Sequence, residues 1–160
     1  MTNELKIPPD MLKAILEQAE REYPAECCGL ILARQSDGEI TRLRPCTNVQ
    51  EQYHRLDPKD FPLEECSAYF IEPKELLEID REMADQSELI RVIYHSHIDA
   101  DAYFSDEDEQ RATDEDGPVY PGTIYLVISV CEGRAELAKW FRWNPEMRLH
   151  SDAGSCSLRR

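Results

Sequence analysis

What the chain lacks narrows it first. It has no apolar run near the length that crosses a bilayer, so no membrane-spanning helix is expected. The opening MTNELKIPPD has no basic start followed by an apolar stretch, so no signal peptide is expected and the chain reads as cytoplasmic. Basic residues are scarce: 18 Lys and Arg stand against 33 Asp and Glu, a net charge of −15. Such a chain cannot neutralise a phosphate backbone, which argues against non-specific nucleic-acid binding, and nothing suggests a membrane surface either. The acidic excess is by default a solvated surface. The six cysteines, at 27, 28, 46, 66, 131 and 156, form no C-x-x-C pair, which removes zinc ribbons and dithiol redox motifs. Free thiols in or near the core are expected instead. The pairing of H-x-E with P-C-x-x-C is absent, which excludes a zinc nucleoside deaminase. The Asp-rich stretch 99–116 has neither the glycine nor the spacing of an EF-hand loop.

What is present fits one domain with one core, since the chain has 160 residues. Residues 8–21 form a helix by pattern: prolines suit its first turn, and Met11, Leu12, Ile15, Leu16 and Ala19 recur at helical spacing. Residues 27–34 are a short apolar strand; a turn at 36–39 leads to a second strand over 39–45. The stretch 47–65 is polar and without clear period, so it is either a surface crossing or the border of a substrate groove. His54 lies in it with no partner at ligand spacing and is expected at the surface. A strand is expected over 66–71, a helix over 73–86, a strand over 88–97 and a helix over 106–113. After an acidic connector, β-branched residues mark 123–130 as a strand, and alternation over 135–143 marks its hairpin partner. Residues 1–147 are taken as the domain, and 148–160 as a flexible C-terminal tail in which His150 and Cys156 are idle. Helices interspersed with hairpins suggest an α/β fold, an α-β-α sandwich around a mixed sheet.

The stretch YHSHIDADAYFSDED, residues 94–108, carries the chemistry. His95 and His97 stand one residue apart at the end of an apolar strand, so both imidazoles face one side. Ser105 and Asp108 follow, and they also make a helix start, with Ser105 as N-cap and acids in the first turn. The two readings are compatible, because a capped helix would hold Asp108 rigidly over the strand end. Two histidines and a carboxylate form a three-ligand set that leaves a fourth position open, as catalytic zinc sites do. Ser96 points to the opposite face and is expected to pack.

H-S-H, seven residues, Ser, two residues, Asp resembles the signature of the JAMM family, the MPN+ zinc metallopeptidases. The upstream stretch Pro24-Ala25-Glu26-Cys27-Cys28-Gly29-Leu30 is similar to that family's segment, and Ile98 stands where many relatives carry proline. The resemblance implies the MPN, or cytidine-deaminase-like, fold and one zinc per chain on His95, His97 and Asp108. It places Glu26 as general base and Ser105 as a donor to the oxyanion. Both histidines are expected to bind as neutral imidazoles with their second nitrogen held by a carbonyl or carboxylate. Cys28 is at most a wall of the site. The compact, insertion-poor chain looks like small bacterial members that hydrolyse the tail of a ubiquitin-like sulfur-carrier protein after Gly-Gly. The alternatives are an isopeptidase that removes a bacterial ubiquitin-like modifier, and a non-catalytic MPN scaffold module.

Overall fold

The computed structural model describes residues 5–158. Strand β1 (Cys28–Arg34) forms a hairpin with β2 (Ile40–Cys46) and pairs on its other edge, antiparallel, with β3 (Glu88–Ile98). Strand β3 runs parallel to β6 (Ile124–Cys131), which turns back into β7 (Arg134–Asn144) and then β8 (Leu149–Ser157). The resulting mixed sheet has six strands in the order β2-β1-β3-β6-β7-β8. A separate two-residue pair, β4 (Thr113–Asp114) with β5 (Gly117–Pro118), folds the acidic connector.

Side-chain alternation decides which helix covers which face. Val92, Tyr94, Leu126, Ile128 and Val130 pack with Ile15 and Ala19 of α1 (Pro9–Glu22). Leu30, Ile93, Tyr125, Val127 and Phe141 turn the other way, onto Ile79 of α3 (Pro73–Gln86) and Ala112 of α4 (Asp106–Ala112). The α-β-α sandwich is therefore the observed architecture. A bulge at Arg91, which has no partner in β1, puts Ile90 on the same face as Ile93. Gly29 lies under the ring of Tyr94: a Cβ there would stand 2.1 Å from the phenol oxygen. That hydroxyl donates to Gln18 Oε1 at 2.6 Å, and Gln18 Nε2 donates to the Cys28 carbonyl at 3.0 Å. Helix α1, β1 and β3 are thus tied together directly behind the end of β3 that carries the histidines.

Three segments differ from expectation. Residues 66–71 are not a strand; only Ile71 makes an isolated bridge, to Asn48. Their backbone groups bond to side chains instead: Asn48 Oδ1 accepts the Phe70 N–H at 3.0 Å, and Arg111 donates to the Tyr69 carbonyl. The preceding stretch contains a short helix, α2 (Gln50–Leu56), whose Tyr53 forms a ring cluster with Phe61 and Phe70 at 4.9–5.1 Å. Residues 149–157, expected as a flexible tail, are the edge strand β8. Their composition is polar because an edge strand keeps one side in solvent. Gly154, at φ 151°, lies against the indole of Trp140, where a Cβ would come within 2.4 Å.

Candidate metal centre and active site

The period of β3 carries Ile93, His95 and His97 to the α4 side of the sheet. Helix α4 begins beside them, because Ser105 caps it. Ser105 Oγ accepts the Asp108 N–H at 3.1 Å, and Asp108 Oδ2 accepts the Ser105 N–H at 3.0 Å, a closed capping box. The box fixes the Asp108 carboxylate over the strand end. His95 Nε2 and His97 Nε2 stand 3.2 Å apart, and Asp108 Oδ2 lies 3.1 Å from the first and 3.3 Å from the second. All three residues are buried.

The donor set fits a metal ion. Donors at about 2.0–2.1 Å around a tetrahedral ion stand about 3.3–3.4 Å from one another, close to the spacing found. His97 Nδ1 lies 3.1 Å from the Asp101 carbonyl, a pure acceptor, so Nδ1 carries a proton, and in the neutral ring Nε2 then offers its lone pair. Burial pushes the Asp108 carboxyl upward, but the field of His95, the two imidazole contacts and the Ser105 N–H outweigh it, and the group is held well below the ordinary range. An ionised carboxylate and a bare imidazole nitrogen are what a divalent cation requires of its ligands.

Each ring is held differently. The expected carbonyl partner is present for His97, and the edge of Tyr103 packs on that ring at 4.6 Å. His95 Nδ1 has no hydrogen-bond partner among the described residues; Tyr69 stacks on its ring instead, at 4.5 Å and 24°.

Glu26 precedes β1. Cys28 pairs with His95, the Ser96 N–H donates to the Cys27 carbonyl at 3.1 Å, and continuing this register brings Glu26 opposite His97. Directly opposed residues share a face, so Glu26 is directed to the same side as the histidines. It is 4 % exposed, and its Oε2 has no partner among the described residues. Burial, and then the charge of Asp108, push its carboxyl up to about 9, with Arg111 opposing. Asn48 and Glu65 hold its backbone, by bonds of 2.9 Å and 2.8 Å.

Other expected residues fall outside this cluster. Ser96 faces α1, and its Oγ accepts the Cys27 N–H at 2.8 Å. Cys28 is a buried core residue whose thiol desolvation raises well above the ordinary value, so it supplies no thiolate. His54, on α2, bonds to the Phe61 carbonyl at 2.7 Å and is partly buried. Tyr69, Asp101, Tyr103 and Arg111 escaped sequence reasoning. Tyr69, Asp101 and Tyr103 lie on loops that carry no period, Arg111 lies on α4, and no spacing signal marks any of them. Arg111 is a hub: it bonds Glu107, the Tyr69 carbonyl and Gln50 Oε1, and lies over the rings of Phe61 and Phe70. Beside Asp108 and Tyr69 opens a cavity of about 760 Å³ between α3, α4 and residues 59–62, floored by Leu30, Ile93 and Tyr125.

Residues 8–144 match the family described as prokaryotic homologs of the JAB domain, and the chain belongs to that family. This is the MPN-type domain to which the motif pointed. Among its relatives, the CysO-cysteine peptidase of Mycobacterium tuberculosis is 32% identical over 127 residues, 78% of this chain and 73% of that protein. The desampylase of Haloferax volcanii is 28% identical over 144 residues, 87% of this chain and 89% of that protein. These names support a hydrolase. Two solution structures share the fold. A protein from Desulfitobacterium hafniense has a TM-score of 0.63 at 21% identity, over 90% of this chain and 86% of that one. A protein from Salinibacter ruber has a TM-score of 0.59 at 23% identity, over 92% and 88%. Among the described residues, no helix is long and apolar enough to cross a membrane.

Proposed function

We propose that this chain is a zinc-dependent metallopeptidase that hydrolyses the peptide bond after the Gly-Gly of a ubiquitin-like sulfur-carrier protein tail. The observation that carries the reading is the convergence of three buried donors, His95, His97 and Asp108, beside the buried carboxyl of Glu26. One zinc per chain, when bound there, lowers the pKa of water towards about 7 and polarises the scissile carbonyl.

The chain's own residues do the rest. Glu26, buried on the same face as the two histidines, takes a proton from the attacking water and hands it to the leaving amine. The Oγ of Ser105 spends a lone pair on the Asp108 N–H, which leaves its O–H to donate to the oxyanion formed at the substrate carbonyl. The helix cap and the catalytic role therefore use different parts of one hydroxyl. Glycines suit the approach because they let a tail's backbone come close to a recessed, walled site. The name of the Mycobacterium relative supports a substrate of the sulfur-carrier type, with a free amino acid as leaving group. The desampylase relative supports a second reading, an isopeptidase that removes a ubiquitin-like modifier from its targets. The complete ligand and base set speaks against a non-catalytic scaffold. Six free cysteines accord with a cytoplasmic enzyme.

The test is mass spectrometry of a sulfur carrier ending in Gly-Gly plus one or two residues, incubated with the zinc-loaded protein. Loss of the residues after Gly-Gly is expected. An intact tail, or equal cleavage of a tail with both glycines replaced by bulky residues, contradicts the reading.

A further inference from the structure

Helix α4 has seven residues, too few to hold its own position by backbone bonds alone. It nevertheless presents two residues of the proposed site, Ser105 at its cap and Asp108 in its first turn. What anchors it from the far side is β8, which lies beyond the stretch 8–144 matched by the family. His150, the second residue of that strand, is buried. Its backbone N–H donates to Glu109 Oε1 at 2.9 Å, and its ring Nδ1 donates to Glu109 Oε2 at 3.0 Å. Both oxygens of Glu109 are thus held by one residue. The His150 ring also packs on Phe104 at 5.0 Å, on Tyr125 at 4.9 Å and on Trp143 at 5.4 Å.

Phe104 is the residue before Ser105, and Glu109 is the residue after Asp108. His150 therefore grips the Ser105–Asp108 segment at both ends. We infer that His150 is a positioning residue for the metal centre: through Glu109 and Phe104 it holds the capped turn so that Asp108 meets the two histidines. It touches neither substrate nor metal. The inference rests on the reading of His95, His97 and Asp108 as metal ligands. It adds a dependence of that site on a strand the sequence presents as a tail.

The test compares His150→Leu, which fills the aromatic cage without a donor, with His150→Asn, whose amide Nδ2 stands where Nδ1 does. Zinc affinity is measured by competition with a chromophoric chelator, well below the melting temperature of each protein. H150L is expected to bind zinc at least about tenfold more weakly than the parent, the loss typical when a ligand's supporting contact is removed, and H150N within about threefold of it. In the metal-free proteins the Asp108 and Glu109 amides, which bond to Ser105 Oγ and to its carbonyl, are expected to exchange faster in H150L alone. If H150L does not fold, His150→Phe, a ring without a donor, takes its place. Equal zinc affinity in the parent and the donor-less variant overturns the inference and leaves the metal site standing. Equal loss in H150N and H150L overturns it too, since packing alone would then explain the effect. A parent that binds no zinc overturns both the inference and the reading beneath it.

Discussion

Glu26 is a buried carboxyl with one oxygen unpartnered among the described residues, and a stable fold has no use for one. Two outcomes follow for Glu26→Gln, which keeps the shape and loses the base. Zinc is retained, while peptide cleavage falls by at least about a hundredfold, as expected for a lost general base. In the chelated protein the same change is stabilising near neutral pH. The folded-state carboxyl is raised from 4.5 to about 9, so the native state keeps a proton that the unfolded state releases. Stability of the parent therefore falls as pH rises from about 4.5 towards about 9, and the glutamine variant lacks this fall. Chelated E26Q should melt several degrees above the chelated parent, the shift that ~1–2 kcal/mol produces in a domain of this size. Near-normal turnover, or a lower melting temperature at neutral pH, shows that Glu26 has been misassigned. Gly29 makes the complementary case at the back of the site. Gly29→Ala drives a methyl group into the Tyr94 ring and should cost about 1–3 kcal/mol or more in denaturant unfolding. A change below about 0.5 kcal/mol would mean that the Tyr94–Gln18 pair does not hold β1 to β3 as described.

At the scale of elements, segments with a strong period were legible and segments built on side-chain bonds were not. Helix α1 and strands β3, β6 and β7 announce themselves by apolar spacing, and each lies within a few residues of its expected limits. Residues 66–71 have strand-like composition, but Asn48 and Arg111 take up backbone groups that a ladder would have used. Neither partner is close in sequence, so no local window contains the information. Strand β8 was missed for the opposite reason. Its residues are polar because it is an edge, and its docking depends on His150, on Gly154 beneath Trp140 and on pairing with β7. A chain cut after residue 147 distinguishes the two views. Under the tail reading its melting temperature is unchanged. The structure instead predicts loss of most of the cooperative transition, since Phe104, Tyr125 and Trp143 lose the ring they pack on. An unchanged melt would contradict the role given to β8.

For the molecule as a whole, the convergence of the three donors proposed as metal ligands was legible because a strand and a capped turn impose fixed offsets on His95, His97, Ser105 and Asp108. The position of Glu26 was not legible from spacing, since it stands 69 positions before His95 and only the antiparallel pairing of β1 with β3 brings the two together. Family resemblance supplied that position, and the register supports it. The sandwich class followed from the order of elements, while the parallel β3–β6 junction and the walls contributed by Tyr69 and Tyr103 belong to tertiary structure alone. All of this serves one central claim, that the three converging donors hold a catalytic zinc. Native mass spectrometry of the folded protein titrated with zinc tests it most directly, with His97→Ala beside it. One zinc per chain is expected for the parent, and no tightly held zinc for the variant, because two protein ligands bind the ion poorly. A parent that takes up no zinc, or a variant that holds it as firmly as the parent, would contradict the account.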